Sequence, residues 1–449
     1  MDLVFANGTV AFDGIEASID IGVRDGLVVA LGQLHGVQAK HVIDCTGKLI
    51  FPGCVDLGLN LLDNGPDDPE CSVGLAACAH QAALGGVTTL ISTMEIESGE
   101  SVPSAVRAQA EVDQAKSIVD FGYHLLVSDW TEEIAHQARE AVAAGIPSFW
   151  IPRTVAPHAL PSPGLMYAAA LGLPADTLVI VSPDSAVLVA AERRRLGAAA
   201  SEAQVFHGGL EANFLASLPR LLRAARPRVL LNGITSSEAV TELARAREVM
   251  PGLSAAVQLP ALCYTAPEDG GMAVPVWPPV RLKSDTQSLF LALEDGLISA
   301  VVSSHKPRSH GEWLAPPNGR MPFGIGTLQH FLPLVYSEGV AKWRLSAGAL
   351  SQALCADPAK LAGLYPRKGT LLPGSDADLV IIDPARARPI VPTTAAATPF
   401  DLADPLAEAS FQGCIEAVYR RGVQITNADG VISSGSGNGQ FLPRKLSLK

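Results

Sequence analysis

The sequence predicts an α/β protein: a (β/α)8 barrel with a small β-sandwich domain built from both chain ends. Two observations carry this. Continuous apolar runs alternate with helix-like Ala/Leu/Glu/Arg stretches through the middle of the chain, whereas both ends read as short strands and turns. Continuous rather than alternating runs suit a parallel sheet covered on both faces. At 449 residues the chain has room for one barrel and one accessory domain.

Taken in order, segments 3–10, 17–23, 27–31 and 41–43 are the first strand candidates, with a turn signal at Asn7-Gly8. Barrel strand candidates follow at 86–91, 123–127, 178–181, 229–232 and 300–303, with helices at 131–144 and 236–250 among them. Repeated β-then-α units over about 300 residues favour the closed barrel, although a doubly wound sheet has similar local statistics. Strand candidates return at 378–383, 414–420 and 422–426. The expected division is residues 1–50 with 366–449 as the β-sandwich and 51–365 as the barrel. The segment 433–439 is Gly/Ser-rich and reads as a flexible terminal stretch.

Composition narrows the class. Hydrophobic content is 48%, charged content 17%, and the formal net charge is −12, which argues against nucleic-acid backbones and anionic membranes as partners. Low charge also suits a homo-oligomer, a dimer or tetramer. The seven cysteines are dispersed and form no CxxC, which fits a reducing, cytoplasmic compartment. Neither a signal peptide nor an apolar run of about 18 residues is evident.

The run 357–370, Asp-Pro-Ala-Lys-Leu-Ala-Gly-Leu-Tyr-Pro-Arg-Lys-Gly-Thr, continues to Gly374-Ser375-Asp376-Ala377-Asp378-Leu379-Val380. It resembles the closing segment of cyclic-amide amidohydrolases, most of all the hydantoinase/dihydropyrimidinase branch, with dihydroorotase and allantoinase as neighbours. Tyr336-Ser337-Glu338-Gly339-Val340, Tyr419-Arg420-Arg421-Gly422-Val423 and Gly85-Gly86-Val87-Thr88-Thr89 are similar to segments of that branch. The likeness spans nearly the whole chain.

The resemblance implies two metal ions, usually zinc, at the C-terminal mouth of the barrel, held by His-x-His, a carboxylated lysine, two further histidines and an aspartate. Such a pair lowers the pKa of a bridging water and polarises the amide carbonyl. This chain departs from that pattern at all six positions. Gly58 and Asn60 stand at the His-x-His pair, Trp150 at the lysine, Ser182 and Asn232 at the two histidines, and Ser304 at the aspartate. Val155 stands where a supporting tyrosine is common, and His305 keeps the place beside the lost aspartate.

Each substitution has a bland reading and a functional one. Trp150 fills the volume left by the lost centre, or stacks on a planar ring. Asn60, Ser182, Asn232 and Ser304 hydrogen-bond an amide or imide, or satisfy one another. His305 serves packing or ligand contact. His305 and His310 flank Lys306 and Arg308, cations that repel a metal, and the acidic run 63–70 reads as a solvated turn. Asp184 and Asp285 read as isolated loop acids in solvent.

From these losses the sequence leads to the expectation of a catalytically degenerate protein, a structural or regulatory subunit or a binding protein, with an active enzyme as a possible partner. No catalytic residue, metal or cofactor is assigned. The alternatives are a metal-independent enzyme or binder of a small cyclic amide and, last, a conventional zinc cyclic amidohydrolase.

Overall fold

The computed structural model describes residues 1–59, 74–97, 99–151, 163–197, 199–223, 225, 227–266, 274–307, 323–342, 344–389, 410–428, 430–431 and 438–446. Asn60, Val155, His310, segment 63–70 and residues 433–437 lie outside them.

The first strands are β1 (Leu3–Ala6), β2 (Thr9–Phe12), β3 (Ile15–Ser18), β4 (Asp20–Arg24), β5 (Leu27–Gly32), β6 (His41–Asp44) and β7 (Leu49–Pro52). The barrel follows with β8 (Cys54–Leu59), β9 (Val87–Met94), β10 (Asp120–Leu126), β11 (Ser148–Trp150), β12 (Leu178–Val181), β13 (Arg228–Asn232), β14 (Leu253–Gln258) and β15 (Ala300–Val302). The chain closes with β16 (Leu379–Pro389), β17 (Ser410–Arg420), β18 (Val423–Asn427) and β19 (Gly430–Val431).

Strands β8 to β15 form one parallel sheet in sequence order. Its edges meet. The Ser303 N–H donates to Asp56 Oδ1 at 2.9 Å, and the Ser303 hydroxyl donates to Asp56 Oδ2 at 2.5 Å. The fold is therefore a (β/α)8 barrel. Some intervening helices start on side-chain caps: Thr131 accepts from Ile134 N, and Ser236 from Ala239 N.

Inward-facing residues fill the barrel. Val55, Leu57, Ile91, Leu178, Ile180, Leu230, Ala256, Ala300 and Val302 form one buried cluster, closed from the base by Leu442 and Leu446 of the C-terminal tail. That tail is anchored, not free. Gln440 O accepts from Phe121 N at 3.0 Å, and Leu442 N and Arg444 N donate to Phe121 O and Gly145 O. The Arg444 guanidinium reaches inside to Ser148 Oγ at 2.8 Å, which lies 2.7 Å from His124 Nδ1.

The remaining strands form a β-sheet domain from both chain ends. One sheet has the order β5-β4-β1-β6, the other β19-β18-β17-β16-β7-β2-β3. Phe5, Val10, Ile21, Ile50, Leu379 and Tyr419 share the core between them. The Asn7-Gly8 turn does not close a hairpin. With Asn7 at φ +64° it carries the chain from β1 in one sheet to β2 in the other. Buried Lys368 joins this domain to the barrel floor, 2.6 Å from Asp120 on β10 and 2.7 Å from Asp378. No helix among the described residues is long and apolar enough to cross a membrane.

Candidate active site

The C-terminal ends of the barrel strands bring Gly58, Trp150, Ser182, Asn232 and Ser304 to one mouth. Gly58 lies near the end of β8, where a Cβ would stand 2.5 Å from Val302 Cβ. A side chain at position 58 would collide with Val302 of the last barrel strand. Trp150 ends β11 and is buried with Ile180, Leu230 and Val302, its ring centroid 6.0 Å from that of His124. The indole is buried in the interior cluster.

Ser182, just past β12, and Ser304, just past β15, are half-buried. Ser304 has φ +51°, uncommon for a residue with a side chain. Asn232 ends β13 and is buried, and its Oδ1 has no hydrogen-bond partner.

His305 is held away from metal duty. Its Nδ1 accepts from Thr327 N at 2.9 Å and Leu328 N at 3.2 Å, so the ring proton sits on Nε2. Burial, with His330 nearby, pushes its pKa down to about 3, and the ring is neutral at physiological pH. Its Nε2 has no hydrogen-bond partner.

A two-metal centre needs imidazoles and anionic donors to offset its charge. The described positions offer no donor at Gly58, an indole at Trp150 and neutral oxygens at Ser182, Asn232 and Ser304. The nearby carboxylate of Asp56 is committed elsewhere, accepting from Gly58 N, Ser303 N and the Ser303 hydroxyl. Among the described residues no group of three or more His, Cys, Asp or Glu is placed to hold a metal. The residues do not fit the metal pair, and no step is derived through it.

The structure adds Glu211 and Arg281 to the sequence reading and corrects that of Asp184 and Asp285. Asp184 is no solvated acid: its Oδ2 accepts the Trp277 indole N–H at 2.7 Å. Asp285 likewise accepts Ser237 N and Oγ, at 2.8 and 2.9 Å. Glu211 is wholly buried and accepts Thr235 N at 2.7 Å and Thr235 Oγ1 at 2.9 Å. Arg281 lies 3.9 Å from it and donates to Thr235 Oγ1 and to the carbonyls of Ala203 and Phe206. Burial raises the Glu211 pKa and lowers that of Arg281, each opposed by the other's charge. Isolated acids and arginines carry no spacing signal; only the fold brings them together.

A model described as the amidohydrolase family matches residues 220–425. The chain is 26% identical over 465 residues to a D-hydantoinase of Ralstonia pickettii, covering 99% of each. It is 28% identical over 473 residues to a D-phenylhydantoinase of Escherichia coli, covering 99% of this chain and 98% of the relative. The fold matches the crystal structure of dihydropyrimidinase from Brevibacillus agri with a TM-score of 0.87, at 24% identity and full coverage of both chains.

These findings correct the expectation of a catalytically degenerate subunit and of a protein that is not an enzyme. Relatives matched from end to end are named as hydantoinases, and nothing positive marks this chain as inert. The error had a physical source. The absence of one donor set does not establish the absence of every catalytic route, and Asn232 keeps a buried, unpartnered Oδ1.

Proposed function

The chain belongs to the amidohydrolase superfamily, and from that premise we propose that it is an enzyme opening the ring of a small cyclic amide at the C-terminal mouth of its barrel. One observation carries the reading: the end-to-end match to hydantoinases over an intact barrel. Hydrolysis adds water across the ring C–N bond, leaving a carboxylate on one side and an amine or ureide nitrogen on the other.

The residues at the mouth bind and orient. A cyclic amide or imide presents a carbonyl beside an N–H. Asn232 Oδ1, buried and unpaired, accepts that N–H. Leaving such an acceptor unpaired costs about 1–3 kcal/mol, which a bound ligand relieves. The hydroxyls of Ser182 and Ser304 donate to the carbonyls, and Trp150 seals the interior beneath, which keeps the ligand at the mouth. Gly58 and Asn60 complete the set of positions assigned to lost ligands, and His305, beside Ser304, has a packing role. No metal is assigned to these side chains.

We also propose a cytoplasmic homo-oligomer, a dimer or tetramer, in keeping with the low charge and with large apolar side chains exposed at Val42, Val249 and Leu291. The division into 1–50 with 366–449 and 51–365 stands as a proposal. The test of function is product analysis by mass spectrometry, with hydantoin, dihydrouracil, dihydroorotate and allantoin as substrates. A ring-opened product 18 mass units heavier, the mass of the added water, supports the reading. Failure with every ring, at enzyme concentrations that saturate binding, counts against it.

A further inference from the structure

Two buried carboxamides end neighbouring barrel strands, Asn232 on β13 and Gln258 on β14. Side chains alternate along a strand, so residues two apart share a face. Leu230 and Ala256 belong to the interior cluster with Trp150. Leu231 and Val257 belong instead with Leu243 and Leu289, under the helices Ser237–Val249 and Lys283–Glu294. Asn232 and Gln258 therefore face inward, one step above Leu230 and Ala256, at the mouth. Ser182, just past β12, follows the interior residue Ile180 by the same step.

Gln258 is held beside Asn232. Gly233 N and Ile234 N both donate to Ala256 O at 3.0 Å, which ties the end of β13 to β14. Gly233 has φ +106°, and a Cβ there would stand 2.9 Å from Gln258 Nε2 and 3.0 Å from Pro278 Cδ. The missing side chain lets the Gln258 carboxamide lie against the residue next to Asn232. The two amides are neighbours without being partners, since Asn232 Oδ1 accepts from no group.

The strand order β12-β13-β14 sets Ser182, Asn232 and Gln258 in a row. Their groups run hydroxyl donor, carbonyl acceptor, N–H donor. The edge of an imide, C=O then N–H then C=O, is the complement. We propose that Gln258 is a specificity-determining residue, the outer donor of a row that reads the imide edge of the ring. Asn232 Oδ1 accepts the ring N–H, while Gln258 Nε2 and the Ser182 hydroxyl donate to the carbonyls on its two sides. A lactam has one carbonyl beside its N–H and leaves one donor of the row unused. The inference rests on the cyclic-amide reading above and deepens it.

Calorimetric binding of glutarimide and 2-piperidone, an imide and a lactam on the same six-membered ring, tests the row without turnover. The wild type is expected to bind glutarimide at least about tenfold more tightly, the worth of one buried hydrogen bond. Gln258→Met keeps the length of the side chain and loses the donor, and is expected to remove most of that preference. Gln258→Glu keeps the shape, puts an acceptor in place of the donor, and is expected to remove it too. Asn232→Leu weakens both ligands alike, since both carry the N–H. Thermal unfolding shows that each variant is folded. Equal binding of the two ligands by the wild type, binding of neither, or a preference that both Gln258 variants retain overturns the inference. A preference lost in the variants, with no ring opened by any protein, upholds the row and overturns the activity. Ring opening of hydantoin whose kcat/KM Gln258→Met leaves unchanged overturns the row alone.

Discussion

Gly58 and Val302 meet so closely that a Cβ on the glycine would stand 2.5 Å from the valine's own Cβ. The first and last barrel strands meet at the position where the sequence resemblance implies the first histidine of a His-x-His pair. Any side chain at 58 must push β8 and β15 apart. Gly58→Ala is expected to destabilise the fold by about 1–3 kcal/mol in chemical denaturation, and Gly58→His by more. A neutral Gly58→His would show that room for a ligand exists after all.

Trp150 is the interior counterpart of that contact. Its indole packs with Ile180, Leu230 and Val302, so Trp150→Ala leaves a cavity and is expected to cost about 3–5 kcal/mol. Urea denaturation measures the loss. A cost well below 1 kcal/mol would mean that the indole does not contribute to the core.

Elemental mass spectrometry on protein purified without chelator or histidine tag, after zinc supplementation, tests the donor set directly. Neutral oxygens and an indole hold transition metals poorly, and less than about 0.1 metal per chain is expected. Two metals per chain would overturn the assignment of no metal to Gly58, Trp150, Ser182, Asn232 and Ser304.

His305 sets a pH dependence. Its pKa falls from 6.5 in the unfolded chain to about 3 in the fold, because burial disfavours the imidazolium. The unfolded state therefore binds the proton first. The stability from this group is fully present above pH 6.5 and is lost as pH falls toward 3. His305→Gln is expected to flatten the stability profile across that window. An unchanged slope would assign the acid sensitivity to other groups, the buried His124 first among them.

Much of the fold was legible in the sequence because barrel strands buried on both faces leave continuous apolar runs. The runs 178–181 and 229–232 became β12 and β13 almost residue for residue. Strand β14 gave no such signal, since Ser254 interrupts it. The positions assigned by resemblance to lost metal ligands rested on local strand motifs. The rim was not: Asp184 and Trp277 are 93 residues apart, and only the closed barrel brings them to 2.7 Å. The sequence also led too far, from missing ligands to missing catalysis.

Asn232 joins these threads, since its Oδ1 is buried without a hydrogen-bond partner. The most direct measurement is ring opening of hydantoin and dihydrouracil by the wild type beside Asn232→Leu, with thermal unfolding of both. The expected result is a ring-opened product from the wild type and at least about tenfold lower kcat/KM in Asn232→Leu, which stays folded because no protein hydrogen bond to Oδ1 is lost. The contradicting result is no ring-opened product from any cyclic amide, or turnover that Asn232→Leu leaves untouched.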